Sequence, residues 1–465
     1  MMTEVAESHE IYRTEFEQIQ RQGAENLRSL RERAFGQFVH SGWPTTRLEP
    51  WRFTNVAPIA RSRFRLPSVG TGVGGDNTAD VAGAIDHTQL APFELAGIDG
   101  PRVVCINGRF SSALSGASLA TLPAGVEVHG LADVLATNPA LVESHLSKLA
   151  GFDTPASSFT ALNTGLLQDG VVVRVAAHTV VETPIQLLFV TAGGGQIMTH
   201  PRVLVLAGEQ SQLRLVESYG SVPGVTGDDD TPYFTNAVTE VVVGDGAVVD
   251  HHKLVRERAQ AYHIASMHLT TGRGSTFSSH AITLGGAIVR NDVRAEMNGE
   301  DGECTLNGLY LANGRSLVDN HTTIHHAAPH CNSHELYKGI LDDQSRAVFN
   351  GKIIVAIDAQ KTDAKQTNKA LLLSEDAQIN TKPELEIFAD DVRCTHGATI
   401  GQLDENALFY LRARGLDVEQ ARNVLIHAFA SDLLNRITIP SIRAQLDDVL
   451  LQQLPGTGHA SFAIA

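Results

Sequence analysis

The chain is short of cysteine, tryptophan and positive charge: 465 residues hold 4 Cys, 2 Trp and 36 Lys plus Arg. Each shortage excludes something. Cysteines at positions 105, 304, 331 and 394 are too few and too scattered for a disulfide framework, which points to a reducing compartment. Against 52 Asp plus Glu the formal charge is −16, the wrong sign for displacing counterions from nucleic acid or meeting acidic lipid. No nucleic acid or membrane partner is therefore expected. No uninterrupted apolar run of about 18 residues occurs, so a membrane-spanning helix is not expected either. The opening MMTEVAESHEIYRTEFEQ carries acid early and lacks the apolar stretch of a secretory signal, which makes the cytoplasm the expected location.

Two nucleotide and nucleophile motifs are also missing. There is no G-x-x-x-x-G-K-[ST] and no G-x-S-x-G. Gly70, Gly72 and Gly75 do fit G-x-G-x-x-G, but no strand precedes them and no helix follows. Residues 68–80 read instead as a small, polar, flexible connection.

What is present is the composition of a folded protein, with 43% hydrophobic and 19% charged residues. Phe16, Ile19, Leu27, Leu30, Ala34, Phe35 and Phe38 recur at mostly helical spacing. The following HSGWPTTRLEPWRFTNVAP, with three prolines and a glycine, breaks that period and contains both tryptophans. From about 100 to 400 the pattern changes to short β-branched runs such as GVVVRV, IQLLFV, RVLVLA and AVTEVVV, which predict an all-β region. Turn glycines at 208, 244, 272 and 299 are separated by 36, 28 and 27 residues. That loose period suggests stacked coils, with a large β-sandwich as the alternative. After Gly401 helical spacing returns, with Asp404 as an N-cap, Gly415 as a stop, and an apolar stripe of Val418, Ala421, Val424, Leu425, Ala428 and Phe429. The expected units are a helical segment over 1–66, a connection and start of the β region over 67–159, a β core over 160–402 and a helical domain over 403–465.

Two clusters could carry chemistry. DNHTTIHHAAPHCNSHELYKG packs His321, His325, His326, His330, Cys331 and His334 closely, and imidazole with thiolate suits zinc or iron. On a strand, however, His321 and His325 share one face and His326 the other, so hydrogen-bonded ladders between stacked strands compete with a metal site. In ADDVRCTHGATIGQLDE, Cys394 and His396 are two apart and project to one side of an extended strand. They make about half a metal or cluster site; distant residues or another polypeptide must complete it.

The stretch KTDAKQTNKALLLSEDAQINTKPELEIFADDVRCTHGATIGQLDENALFYLRARGL resembles the shared signature of the SufB and SufD iron–sulfur assembly proteins. DNHTTIHHAAPHCNSHELYKGI and VFNGKIIV are similar to the same family, so the likeness covers at least 315–416 and, more loosely, the chain from 160 onward. LEPWRFTNVAPI, and the absence of C-x-x-C in the first part, resemble the SufD branch. The resemblance implies a right-handed parallel β-helix flanked by N- and C-terminal helical domains. It also implies a non-catalytic scaffold paired with SufB as a heterodimer, each docking one SufC ATPase through its C-terminal helices; whether the isolated chain forms a homodimer is left open by the sequence. Cys394 and His396 match the family's C-[ST]-H-G. His396 is then expected to face a SufB cysteine as an imidazole ligand of a nascent, transient iron–sulfur cluster or metal, with Cys394 as a nearby thiol. Val424, Leu425, Ala428 and Phe429 become partly core and partly SufC-facing. QTNK and TKPELEI are assigned to β-helix turns and intersubunit pairing, and a reduced flavin is associated with the family's complex. The remaining alternatives are a SufB-type scaffold and a stand-alone metalloenzyme built on His321 to His334.

Overall fold

Runs of about ten residues with aliphatic side chains at alternate positions fill both walls of a solenoid, because each strand bonds to the strand one full turn later and not to its neighbour in sequence. The computed structural model describes residues 12–21, 23–67, 85–95, 98, 100–193, 195–222 and 231–453; the glycine-rich stretch 68–80 lies outside them. Two ten-stranded sheets face each other, and from Arg202–Ala207 onward successive strands alternate between them. The result is a parallel β-helix of about eight turns. Its registers give the rung length directly. Val248↔Thr276, Thr276↔Glu303 and Glu303↔Asn332 step by 28, 27 and 29 residues. The step from Gln212 to Val248 is 36, so the irregular first glycine interval is a long rung and not evidence for a sandwich.

The turn glycines stack. A Cβ on Gly244 would lie 2.9 Å from Glu209 N, one on Gly272 would lie 2.7 Å from Asp245 N, and one on Gly299 would lie 2.1 Å from Gly272 C and Arg273 N. One corner of the solenoid therefore climbs on backbone packed directly against backbone, which only glycine permits.

Not everything between 100 and 400 is strand. Ser112–Leu119, Leu131–Thr137, Pro139–His145 and Ser158–Gly165 are helices, so the β reading is corrected there. The cause is local: Ser111 and Asn138 accept backbone N–H bonds as caps, and Pro139 occupies a first-turn position where its missing donor costs nothing. The regular solenoid strands begin at Val171–Val175 and end at Arg393–Gly401.

The helical ends lie on the flanks. Helix Arg28–Ser41 buries Ala34, Phe35 and Phe38, and Trp43, Trp51 and Phe64 join the same cluster with Phe159 of helix Ser158–Gly165 and with Phe234 and Ile264 on one sheet's outer face. At the other end Asp404 caps Glu405–Arg412, Asp417 caps Val418–Leu434, and Pro440 opens Pro440–Gln453. Ile426, Ala430, Leu433 and Leu434 pack on Leu309, Leu336, Ile340 and Leu371 of the opposite sheet's outer face.

The two ends of the solenoid differ. At the N-terminal end short antiparallel strands, Arg109–Phe110 and Val126–Gly130, close the sheet edges, and Phe110, Leu119 and Leu122 pack against the interior core. The C-terminal end finishes on full-length parallel strands, Gln378–Ile387 and Arg393–Gly401, whose residues are mostly exposed or half-buried.

Gly299→Ala should lower unfolding free energy by about 1–3 kcal/mol, because the added methyl enters backbone that cannot retreat. Gly36→Ala, on an exposed helix position with nothing within 4 Å, should raise it by about 0.5–1 kcal/mol. Urea titration of both variants checks the contrast.

Candidate functional site

The terminal rung places Cys394 and His396. Strand Arg393–Gly401 pairs in register with Asp363–Leu372, matching Cys394 to Ala364, His396 to Gln366, Ala398 to Asn368 and Ile400 to Ala370. Those four partners are buried inside the solenoid. Cys394, His396, Ala398 and Ile400 therefore hold inward-facing positions, but no next rung covers them among the described residues. Ile400 is left 47% exposed. The facing wall is strand Gln378–Ile387, whose Ile379, Thr381, Pro383, Leu385 and Ile387 stand in register with buried Ala347, Phe349, Ile353 and Val355 and with Gly351. Cys394 and Leu385 pack together against the small cluster of Ile353, Val355 and Ala364.

The thiol and the imidazole differ in readiness. Partial burial raises the Cys394 thiol above its ordinary value, and nearby Asp363 adds to the rise against a backbone hydrogen bond at Ala364. At neutral pH it is a thiol, not a thiolate. His396 is exposed. Among the described residues no group of three or more His, Cys, Asp and Glu is arranged to hold a metal ion.

The polar side chains behind His396 lie one and two rungs inside. Gln366 Nε2 donates to Glu335 Oε2 at 2.6 Å, and Asn368 Nδ2 donates to Thr381 Oγ1 at 2.9 Å. Burial raises the Glu335 carboxyl to about 7, against an opposing hydrogen bond from Gln366. Motif reasoning missed this pair. Stepping back from His396 by one rung, 30 residues, gives Gln366, and by another 31 gives Glu335. QTNK and TKPELEI are accordingly mid-strand segments and not turns.

The histidine run is dispersed by the same alternation. His321 and His325 face outward, pairing with Asp319 at 3.0 Å and Glu296 at 2.7 Å. His326 points inward to Ser333 Oγ at 2.9 Å. His330 occupies a corner turn with φ 60°, and buried Cys331 donates to Gly299 O. Of these contacts His325–Glu296 joins stacked strands, as a ladder would, whereas His321–Asp319 lies within one strand and His326–Ser333 crosses to the other sheet; among the described residues the run has no common metal centre. His321 belongs instead to the seat of the N-terminal segment. There the Arg290 guanidinium lies 3.9 Å from the Trp51 ring, binds Asp319 and Asp292, and donates to Pro50 O, while Thr54 donates to Asp319. Burial alone would raise the Asp319 carboxyl, but Arg290 and His321 bring it down to about 2.

The C-terminal stripe is rotated from its expected position. The buried face is Ala421, Ile426, Ala430, Leu433 and Leu434. Val424, Leu425 and Phe429 are half-buried, Phe429 lies under the Lys338 ammonium at 4.8 Å, and Ala428 is exposed. The large apolar side chains left open are Phe409 (75%), Tyr410 and Val418.

A groove of about 930 Å³ runs between residues 148–160 and the outer face of the sheet that carries Arg290, lined by residues including Lys148, His268, Arg294, Lys352 and Glu386. It is lined by no Phe, Tyr or Trp, and no flavin step is assigned to it. No described helix is long and apolar enough to cross a membrane.

Comparison with known proteins gives two family matches. The SufBD core domain of the SUF iron–sulfur cluster assembly system matches residues 189–429, and the SufBD N-terminal region matches 2–187. An iron–sulfur cluster assembly SufBD family protein of Synechocystis is 35% identical over 87% of this chain and 86% of its own. The iron–sulfur cluster assembly protein SufD of Escherichia coli is 32% identical over 90% and 91%, and SufD of Bacillus subtilis 27% over 67% and 70%.

Glu335→Gln tests the buried carboxyl. A carboxyl whose folded value is raised binds its proton more tightly in the folded chain, so its contribution is full below about pH 4.5 and is lost as pH rises through about 7. The variant keeps an acceptor for Gln366 without that charge. Its stability relative to the parent should grow between pH 5 and pH 8, by up to about 3 kcal/mol. Parallel urea-unfolding curves across that range would show that Glu335 ionises normally.

Proposed function

The chain belongs to the SufBD family of iron–sulfur cluster assembly proteins, of the SufD type, and from that membership we propose that it is the non-catalytic SufD-type scaffold of a complex with SufB and the ATPase SufC. One observation carries this reading. The last rung of the β-helix exposes inward-facing positions, Cys394 and His396 among them, on strands whose outer edges pair with no further strand among the described residues. A long, exposed parallel edge is an invitation to pair with another chain. Ile387, Phe388 and Ile400 are 40%, 62% and 47% exposed beside it. A second solenoid end laid against this one would bury those side chains and enclose the ligands between subunits. Strand Arg393–Gly401 contains no proline, whereas Pro383 removes a donor from Gln378–Ile387, so the first strand is the fuller partner.

In this reading the nascent cluster or metal is cargo. His396 supplies an imidazole, Cys394 a nearby thiol, and the partner's thiolates complete the sphere, since iron–sulfur clusters need several such ligands. ATP hydrolysis belongs to SufC. Its docking surface on this chain is proposed on the C-terminal helices, where Phe409, Tyr410, Val418 and Ala428 are exposed. SufC closure pulls on those helices, distorts the SufB–SufD contact and opens the ligands to incoming iron and sulfur.

His396→Ala should leave the fold and co-purification with SufB and SufC unchanged while lowering cluster formation on the complex. Cluster absorbance after reconstitution measures it. Undiminished assembly by that variant removes the ligand role.

A further inference from the structure

Gln366 stands directly behind His396 in the same column of the sheet, one rung into the solenoid. Its environment is built to fix one end of its amide. Across the lumen it meets Gly351, where a Cβ would lie 2.2 Å from Gln366 Nε2 and 2.7 Å from its carboxamide carbon. The glycine makes the notch the amide fills. From that notch Nε2 donates back to Glu335 Oε2 at 2.6 Å, in the rung behind. The two ends of a planar amide diverge, so an Nε2 committed to the rung behind turns Oε1 away from it. Gln366 is 2% exposed, and its Oε1 has no hydrogen-bond partner. A buried acceptor left unmade is costly, and the next polar side chain in its column is His396.

Resting on the reading of His396 as a cargo ligand, we propose that Gln366 is a positioning residue for it: Gln366 Oε1 accepts the N–H of one ring nitrogen of His396, leaving the other bare and aimed at the metal, with Gly351 and Glu335 holding the amide in place. Metal-bound histidines commonly donate their second ring N–H to such an acceptor, which fixes tautomer and ring orientation; removing the acceptor typically costs 10–100-fold in metal affinity or activity. Here the acceptor is a neutral amide whose far end is tied to a buried carboxyl. Thr367 and Lys369, its neighbours in QTNK, hold the alternate, outward-facing positions, and Asn368 is committed to Thr381.

The test reads the imidazole itself. Ring-¹⁵N histidine spectra of the full chain, with His396 assigned by loss of its signals in His396→Ala, report the tautomer directly. In the parent one tautomer should dominate. Gln366→Met removes the acceptor at similar volume, and Gly351→Ala pushes the amide out of its notch without touching the histidine. Both should shift the tautomer populations toward those of an unconstrained, solvent-exposed histidine. Glu335→Gln keeps an acceptor for Gln366 Nε2 and should leave the parent spectrum. Cluster formation on the SufB- and SufC-containing complex should fall about 10-fold or more in Gln366→Met. Should Gln366→Met not fold, Gln366→Asn, whose amide is withdrawn by one methylene, is read in the same way. Tautomer populations unmoved by these variants would overturn the proposal and leave Oε1 to water. If His396→Ala assembles clusters normally while Gln366→Met still shifts the tautomer, the ligand reading has failed and the contact stands. If His396→Ala fails to assemble and the tautomer ignores Gln366, the reverse holds.

Discussion

A parallel solenoid pairs the backbone of every rung with the rungs above and below, and so leaves unpaired groups only at its two ends. This chain treats the ends in opposite ways. The N-terminal end is closed by strands of two and five residues running antiparallel and by Phe110, Leu119 and Leu122 against the interior. The C-terminal end stops on strands of ten and nine residues, the arrangement that soluble proteins ordinarily blunt. Every property of the candidate site follows from that asymmetry. Cys394 and His396 are core positions by register and surface positions by truncation.

Both helical regions could in principle have served as caps, and charge chemistry places them elsewhere. Arg290 is 1% exposed and has a ring face, two carboxylates and a carbonyl around it. A buried guanidinium needs that many partners to offset its desolvation, and losing one typically costs about 3–5 kcal/mol. Its partners include Trp51 and Pro50, so the N-terminal segment is fixed to the flank. Lys382, on the terminal strand, reaches Glu49 at 2.6 Å, which steadies the end without covering it. On the other flank Lys338 donates to Phe429 O and pairs with Asp432, and Thr438 donates to Asp250. The open end is open because both candidate lids are tied down beside it.

The sequence carried the architecture through its periods. Alternating runs of about ten residues and turn glycines one rung apart were enough for a stacked coil, and the 36-residue interval misled only in suggesting irregularity. Cys394 and His396 were legible as half a site because two residues apart on a strand is a one-sided arrangement. Gln366 and Glu335 were not, since nothing local marks an inward polar residue; they become visible only when the rung length is known. The helices between 112 and 165 were lost among short apolar segments whose caps outweighed strand propensity. The C-terminal stripe was misplaced because Val418–Leu434 is apolar on adjacent faces, and the choice between Val424 with Leu425 and Ile426 with Leu433 was made by the sheet beneath.

An open rung also orders the events at the proposed site. Burial already raises the Cys394 thiol, and covering the end with a partner would desolvate it further. A thiol must lose its proton before it binds metal, so enclosing an empty site makes Cys394 a poorer ligand, whereas an arriving cation reverses the effect by stabilising the thiolate. In the proposed reading Cys394 is thus a ligand whose engagement depends on metal already being present. A partner that alternately closes over this end and withdraws would change the environment of the thiol at each cycle while leaving the amide behind the imidazole in its notch.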